Sequence, residues 1–300
     1  MNPNLSKYLL APALLCVVAL PVQPRAVRAY ETSPGCAAFA AELRGSTGLD
    51  FRTRSTGRFD FAYRCTEAEM DSLQEYAAAF YAQVYPRFFD GEPSRAFRLV
   101  YFRDHVEYRA HSLYPDNYGY YSYATRALYT WAHSGHGTLW HELIHAFMDA
   151  NIREDPHSWF NEGLASFFEM AFLVNGAVVE GYTNWRHPLV LAALAAGTIP
   201  PLRDFLRARK IEVPAVKAYA RFLFCYLWTK GVMDGFARAY LHRLLPAASG
   251  EELDRRVIAL LEELLGKGIE GIDADVRAAA LSVGPDRKLT VTGTPRSADR

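Results

Sequence analysis

His141-Glu142-Leu143-Ile144-His145, followed by Trp159-Phe160-Asn161-Glu162-Gly163-Leu164-Ala165, decides how this chain is read. On a helix, positions i and i+4 share a face, so His141 and His145 direct their imidazoles toward one point. That point suits a zinc ion, which takes imidazole nitrogens at about 2.0–2.1 Å and leaves room for a carboxylate and a water. Glu142 stands where a general base reaches that water. Leu143, Ile144, Phe147 and Met148 supply an apolar side that holds the helix from behind, and Gly137 or Thr138 opens it.

A catalytic zinc takes three protein ligands and keeps one position for water. The third is not a downstream histidine of the first helix, because Met148 and Asn151 stand where His-x-x-Gly-x-x-His needs Gly and His. A carboxylate from a second helix remains. Asp155-Pro156 makes a turn, Ser158 caps a new helix, and 159–173 reads as helical, which puts Glu162 at the end nearest the first helix. Gly163, Ala165 and Ser166 are small enough to let the two helices approach closely. Glu169, seven residues on, lies on nearly the same face and is placed to accept a hydrogen bond from the outer nitrogen of a ligand histidine.

Taken together, His141-Glu142-Leu-Ile-His145 and Asn161-Glu162-Gly163-Leu-Ala165 with Glu169 resemble the gluzincin metallopeptidases, especially the bacterial peptidase-MA-like group. The resemblance covers residues 97–173 and implies zinc bound by His141, His145 and Glu162, with Glu142 as the base and Glu169 supporting a ligand. Two features depart from the aminopeptidase branch. Sixteen residues (146–161) separate His145 from Glu162 where that branch has eighteen, and no Gly-x-Met-Glu-Asn element precedes the first motif. The family also implies an oxyanion donor, Tyr or His, from the downstream helical half. Tyr219 resembles that position, and Tyr182, His187 and Tyr226 compete for it.

Half of the 300 residues are apolar, ample for a packed core. Residues 1–29 read as an export signal: Lys7, an apolar run over Tyr8–Leu20, and Val27-Arg28-Ala29 as a cleavage site. The run is too short to span a bilayer, so no stable membrane span is expected after cleavage and a periplasmic or extracellular location is. Removal of 1–29 takes away Lys7, Arg25 and Arg28, leaving thirty basic residues against thirty-three acidic ones. Nothing in that balance favours nucleic acid, which asks for a clustered basic face. In an oxidising compartment Cys36 and Cys65 could pair, while Cys225, inside an apolar run, reads as a buried thiol.

Strands are expected at Phe59–Arg64, Phe97–Phe102 and Ala127–Trp131, the last an edge strand that would pair with a substrate backbone. Thr66-Glu-Ala-Glu69 is a capping box opening a helix to Tyr85, and another starts at Asp104. The tyrosines of 114–131 suit a half-buried sheet, and His133 and His136 read as loop histidines. Beyond a turn-rich link at 180–188, helices are expected over 189–196, 202–209, 214–230, 234–245, 251–265 and 274–281, with a disordered tail from Gly284. The fold class is therefore α+β: a small mixed sheet with zinc-binding helices over 30–180, then a helical subdomain over 181–283. The activity expected is peptide hydrolysis by a zinc-activated water. A zinc-containing envelope assembly factor without turnover, or an amidase acting on cell-wall peptide, are the other readings.

Overall fold

The computed structural model describes residues 34–284 and 287–290. The export segment expected over 1–29, and most of the expected tail, lie outside the described residues. The fold is mixed α+β, with a small mixed sheet and many helices.

Five strands form the sheet in the order β1-β2-β3-β5-β4. They are β1 (Arg52–Ser55), β2 (Phe59–Tyr63), β3 (Phe97–Phe102), β4 (Gly119–Ser122) and β5 (Ala127–Trp131). The pairs β2/β3 and β3/β5 are parallel, whereas β1/β2 and β4/β5 are antiparallel. Helix α1 (Pro34–Thr47) precedes the sheet, and α2 (Glu67–Phe88) makes the crossover from β2 to β3. The Thr66–Glu69 capping box is fully formed, and the helix it starts runs three residues past Tyr85. Helix α3 (His105–His111), capped by the Asp104 side chain, follows β3.

Period-two alternation sorts the strand residues between two cores. Leu99 and Tyr101 of β3 and Leu128 of β5 face the larger core, whereas Val100, Phe102, Tyr129 and Trp131 join Phe39 and Leu43 of α1 in the smaller one. Strand β5, expected at the edge, is interior between β3 and β4; the edge belongs to β4. The antiparallel return of Gly119–Ser122 onto Ala127–Trp131 covers it.

Helix α4 (His136–Asn151) starts one residue before Gly137 and carries the first motif. Its Trp140 stacks on Phe80 of α2 with centroids 5.1 Å apart and donates its indole N–H to the Tyr76 carbonyl. Helix α5 (Ser158–Phe167) carries the second motif and is shorter than expected. A 3₁₀ turn over Phe168–Met170 ends it, and residues 172–179 form a hairpin of β6 (Phe172–Val174) and β7 (Ala177–Val179). Asn175 and Gly176, both at positive φ, make the turn, and Asn-Gly between short apolar runs was a legible sign of it.

The remainder is helical: α6 (His187–Ala195), α7 (Leu202–Arg207), α8 (Pro214–Thr229), α9 (Met233–Ala239), α10 (Gly250–Leu265) and α11 (Ile269–Ser282). A π turn over Tyr240–Leu244 and a 3₁₀ turn continue α9. Residues 287–290, expected in the disordered tail, are instead pinned. The backbone pairs Tyr182 with Lys288, the Leu289 N–H donates to the Gly181 carbonyl, and the Leu289 side chain is buried. Cys36, Cys65 and Cys225 are all buried thiols. Cys36 Sγ faces the Arg54 and Phe61 carbonyls, so the Cys36–Cys65 bridge weighed from the sequence is not formed. Among the described residues no helix is long and apolar enough to cross a membrane.

Candidate metal centre

The apolar side of α4 buries Leu139, Leu143, Ile144 and Phe147 in the larger core. The opposite side holds His141 and His145, one turn apart, with their Nε2 atoms 3.1 Å from each other. The Nδ1 atoms are committed elsewhere. His141 Nδ1 lies 3.0 Å from Glu169 Oε1, and His145 Nδ1 lies 2.8 Å from Asn161 Oδ1. Both partners are acceptors, so each Nδ1 carries the ring proton and each Nε2 presents its lone pair. Two lone pairs facing each other at this distance repel unless a proton or a cation lies between them. Nitrogens bound to one tetrahedral zinc at about 2.0–2.1 Å sit about 3.3 Å apart. The donor set and its spacing fit that ion.

Glu142 completes a compact buried group. Among the described residues, His141, Glu142 and His145 offer ligand atoms that all lie within 4.8 Å of one another. Glu162 is not a member of that group. Its carboxylate, on α5, lies 3.8 Å from the Lys217 ammonium of α8. Burial would raise its carboxyl, yet the charges of His145, His141 and Lys217 outweigh burial and lower it. For His141, burial opposes the charged form, but Glu142, Glu169 and Glu162 overcome this and raise the imidazole to about 9. Three carboxylates thus create a site that attracts positive charge, whether proton or metal.

Glu169 rides on the 3₁₀ turn after α5, where a fork from Arg186 (2.7 and 2.8 Å) and an N–H from Asn184 (2.9 Å) hold it. Burial would raise its carboxyl, but hydrogen bonds from His141 and Arg186 prevail and keep it far below the usual carboxylate range. It is an obligate acceptor for His141. Gly137 makes this possible, since a Cβ there would run into the Glu169 backbone carbonyl. Gly163 packs differently from expectation. It faces not α4 but α8, where a Cβ would meet Phe224 and the Ala220 carbonyl at 2.7 and 2.8 Å.

Tyr219 is not brought to the site. It is fully buried on α8 with its ring edge-on to Phe205 and its hydroxyl 3.4 Å from Asp273 of α11. Its three competitors are also engaged away from the histidines: Tyr182 against Phe172, His187 with the Val283 carbonyl, and Tyr226 near Asp275. His136, expected in a loop, begins α4 and bonds the Ala171 carbonyl, while exposed His133 pairs with Glu69. Sequence reasoning missed Asn184, Arg186 and Lys217, which carry no local signal. Asn161 was in view as part of the second motif, without a role.

No protein-family model matches the chain, and no curated protein does.

Proposed function

We propose that the chain is an exported zinc metallopeptidase of gluzincin type that hydrolyses peptide bonds. The observation that carries this reading is the pair of Nε2 lone pairs converging at 3.1 Å, each imidazole oriented from behind and a buried carboxylate beside them. His141 and His145 would hold the ion, with Glu162 as third ligand after its carboxylate leaves Lys217. Bound zinc would supply Lewis-acid polarisation and a water acidic enough to ionise near neutral pH.

The chain's own residues supply the rest. Glu169 and Asn161 fix ring orientation and tautomer, which raises the basicity of each Nε2. Glu142 takes a proton from the attacking water as its oxygen bonds to the carbonyl carbon. It passes that proton to the departing nitrogen as the C–N bond breaks, leaving a carboxylic acid and an amine. A zinc site that served only structure would close with a further Cys or His and would need no carboxylic base at its side.

Zinc content and chelator-sensitive cleavage of a denatured protein mixture test the reading, with Glu142→Gln as the comparison. The variant is expected to keep its zinc and to lose at least 10²-fold in cleavage rate. Normal cleavage by Glu142→Gln would remove Glu142 as the base, and a purified wild type without zinc or cleavage would remove the assignment.

A further inference from the structure

We propose that Tyr123, at the tip of the β4–β5 hairpin, donates its hydroxyl hydrogen bond to the carbonyl oxygen of the scissile bond. This role rests on the peptidase reading. Such a reaction builds negative charge on that oxygen, and a pre-aimed neutral donor stabilises it without moving a proton.

The candidates for that donor narrow quickly. Glu142 and Glu162 are acceptors when ionised, Ser166 is buried beside His141 where no substrate reaches it, and Lys217, which Glu162 would release on holding the ion, remains a competing donor. The four downstream candidates are engaged elsewhere. Tyr123 comes from the opposite direction, upstream of the first motif. Its oxygen accepts from Asn161 Nδ2 at 3.2 Å, and the same amide accepts from His145 through Oδ1 at 2.8 Å.

The polarity of this chain follows from one fact. A metal-ligating His145 keeps its proton on Nδ1, so Asn161 must turn its oxygen to the ring and its NH₂ to Tyr123. The tyrosine oxygen is therefore an acceptor from Asn161, and its own proton points to a different partner. A hydroxyl that accepts one bond donates the next more strongly.

The hydroxyl also keeps that proton. Burial of its polar end, with the charges of Asp149, Glu162 and Glu142, raises it above its ordinary value although the Asn161 bond pulls the other way. The ring is half exposed, as a group meeting substrate must be, yet it is not loose. It packs edge-on against Tyr121 at 5.2 Å, and Tyr121 is tied to Asp149 at 2.7 Å. The hairpin turn is cross-braced by Thr125 N–H to Ser122 Oγ and by Tyr129 Oη to Thr125 Oγ1.

The test compares zinc-loaded wild type with Tyr123→Phe on a quenched peptide that the wild type cleaves. Alongside it, calorimetry measures zinc affinity and the binding of a phosphinic peptide of the same sequence, whose tetrahedral oxygen mimics the charged one. The expected result is a fall in kcat of about 10²-fold or more, KM within about twofold, unchanged zinc affinity, and phosphinic-peptide binding weakened by a similar factor. An unchanged kcat overturns the proposal. So does a rise in KM alone, which would make Tyr123 a subsite wall. Loss of zinc affinity in step with kcat also overturns it, because the residue would then act only through Asn161 on His145. Wild-type protein without zinc or cleavage instead sinks the peptidase reading on which the proposal rests.

Discussion

At the scale of single residues, the site is a set of acceptors arranged behind two imidazoles. Glu169 is the firmest of them, since Arg186 and Asn184 both donate to its Oε2 and Arg186 also shares Oε1 with His141. Replacing its carboxylate with an amide, Glu169→Gln, keeps the shape but removes the charge that His141 and Arg186 use. Zinc affinity measured by competition with a chromogenic chelator is expected to fall about 10–100-fold. An unaltered affinity would mean that Glu169 serves only Arg186. His141, Glu142 and His145 were legible because i and i+4 on a helix must share a face. Where Tyr219 would point was not legible, for an equally plain reason. A tyrosine on an amphipathic helix can face a neighbouring helix or a cleft, and Phe205 and Asp273 turn this one inward.

At the scale of elements, the decisive contact is between the start of α4 and the 3₁₀ turn after α5. Gly137 allows that approach, one turn before His141 on the same helix. Gly137→Ala would push the Glu169 backbone outward and loosen its bond to His141. The expected cost is about 1–3 kcal/mol in denaturant unfolding, with a parallel loss of zinc affinity. If stability fell while zinc affinity held, the approach would matter to packing alone. Capping boxes and strand alternation made α2, β3 and β5 readable nearly to the residue, because those signals are local. The edge position of β4 was not readable, since strand order depends on which return packs outermost.

At the scale of the molecule, α5 is tied to the distant helices by a buried polar network. His157 bonds Tyr240 through Nδ1 and Asp254 through Nε2, both at 2.8 Å, and Arg209 forks the same Asp254. Its backbone N–H also donates to the Tyr240 oxygen, and an Arg209 guanidinium nitrogen stands 2.5 Å from Nε2, a neighbour that disfavours a charged ring. Burial lowers the imidazole, and Arg209 adds to this against the pull of Asp254. The unfolded histidine titrates near about 6.5, so below that value the unfolded chain binds the extra proton first. Stability is therefore expected to be fully present above about pH 6.5 and to fall with acidification, until the pH passes the lower folded value. Urea unfolding at a series of pH values checks this, and His157→Gln should have a shallower acid slope. Equal slopes would place the acid sensitivity elsewhere.

By itself, the sequence determined the local matters: a helix carrying two aligned imidazoles and a carboxylate, a second helix carrying Glu162 and Glu169, and a mixed α+β class. Only the tertiary structure decided what lies across from them. Asn161 and Glu169 behind the rings, Arg186 behind Glu169, Lys217 against Glu162 and Tyr123 against Asn161 meet through packing between elements. Spacing along a chain encodes which side chains share a face. It does not encode which faces of separate elements come together, because that choice is made by the whole core at once.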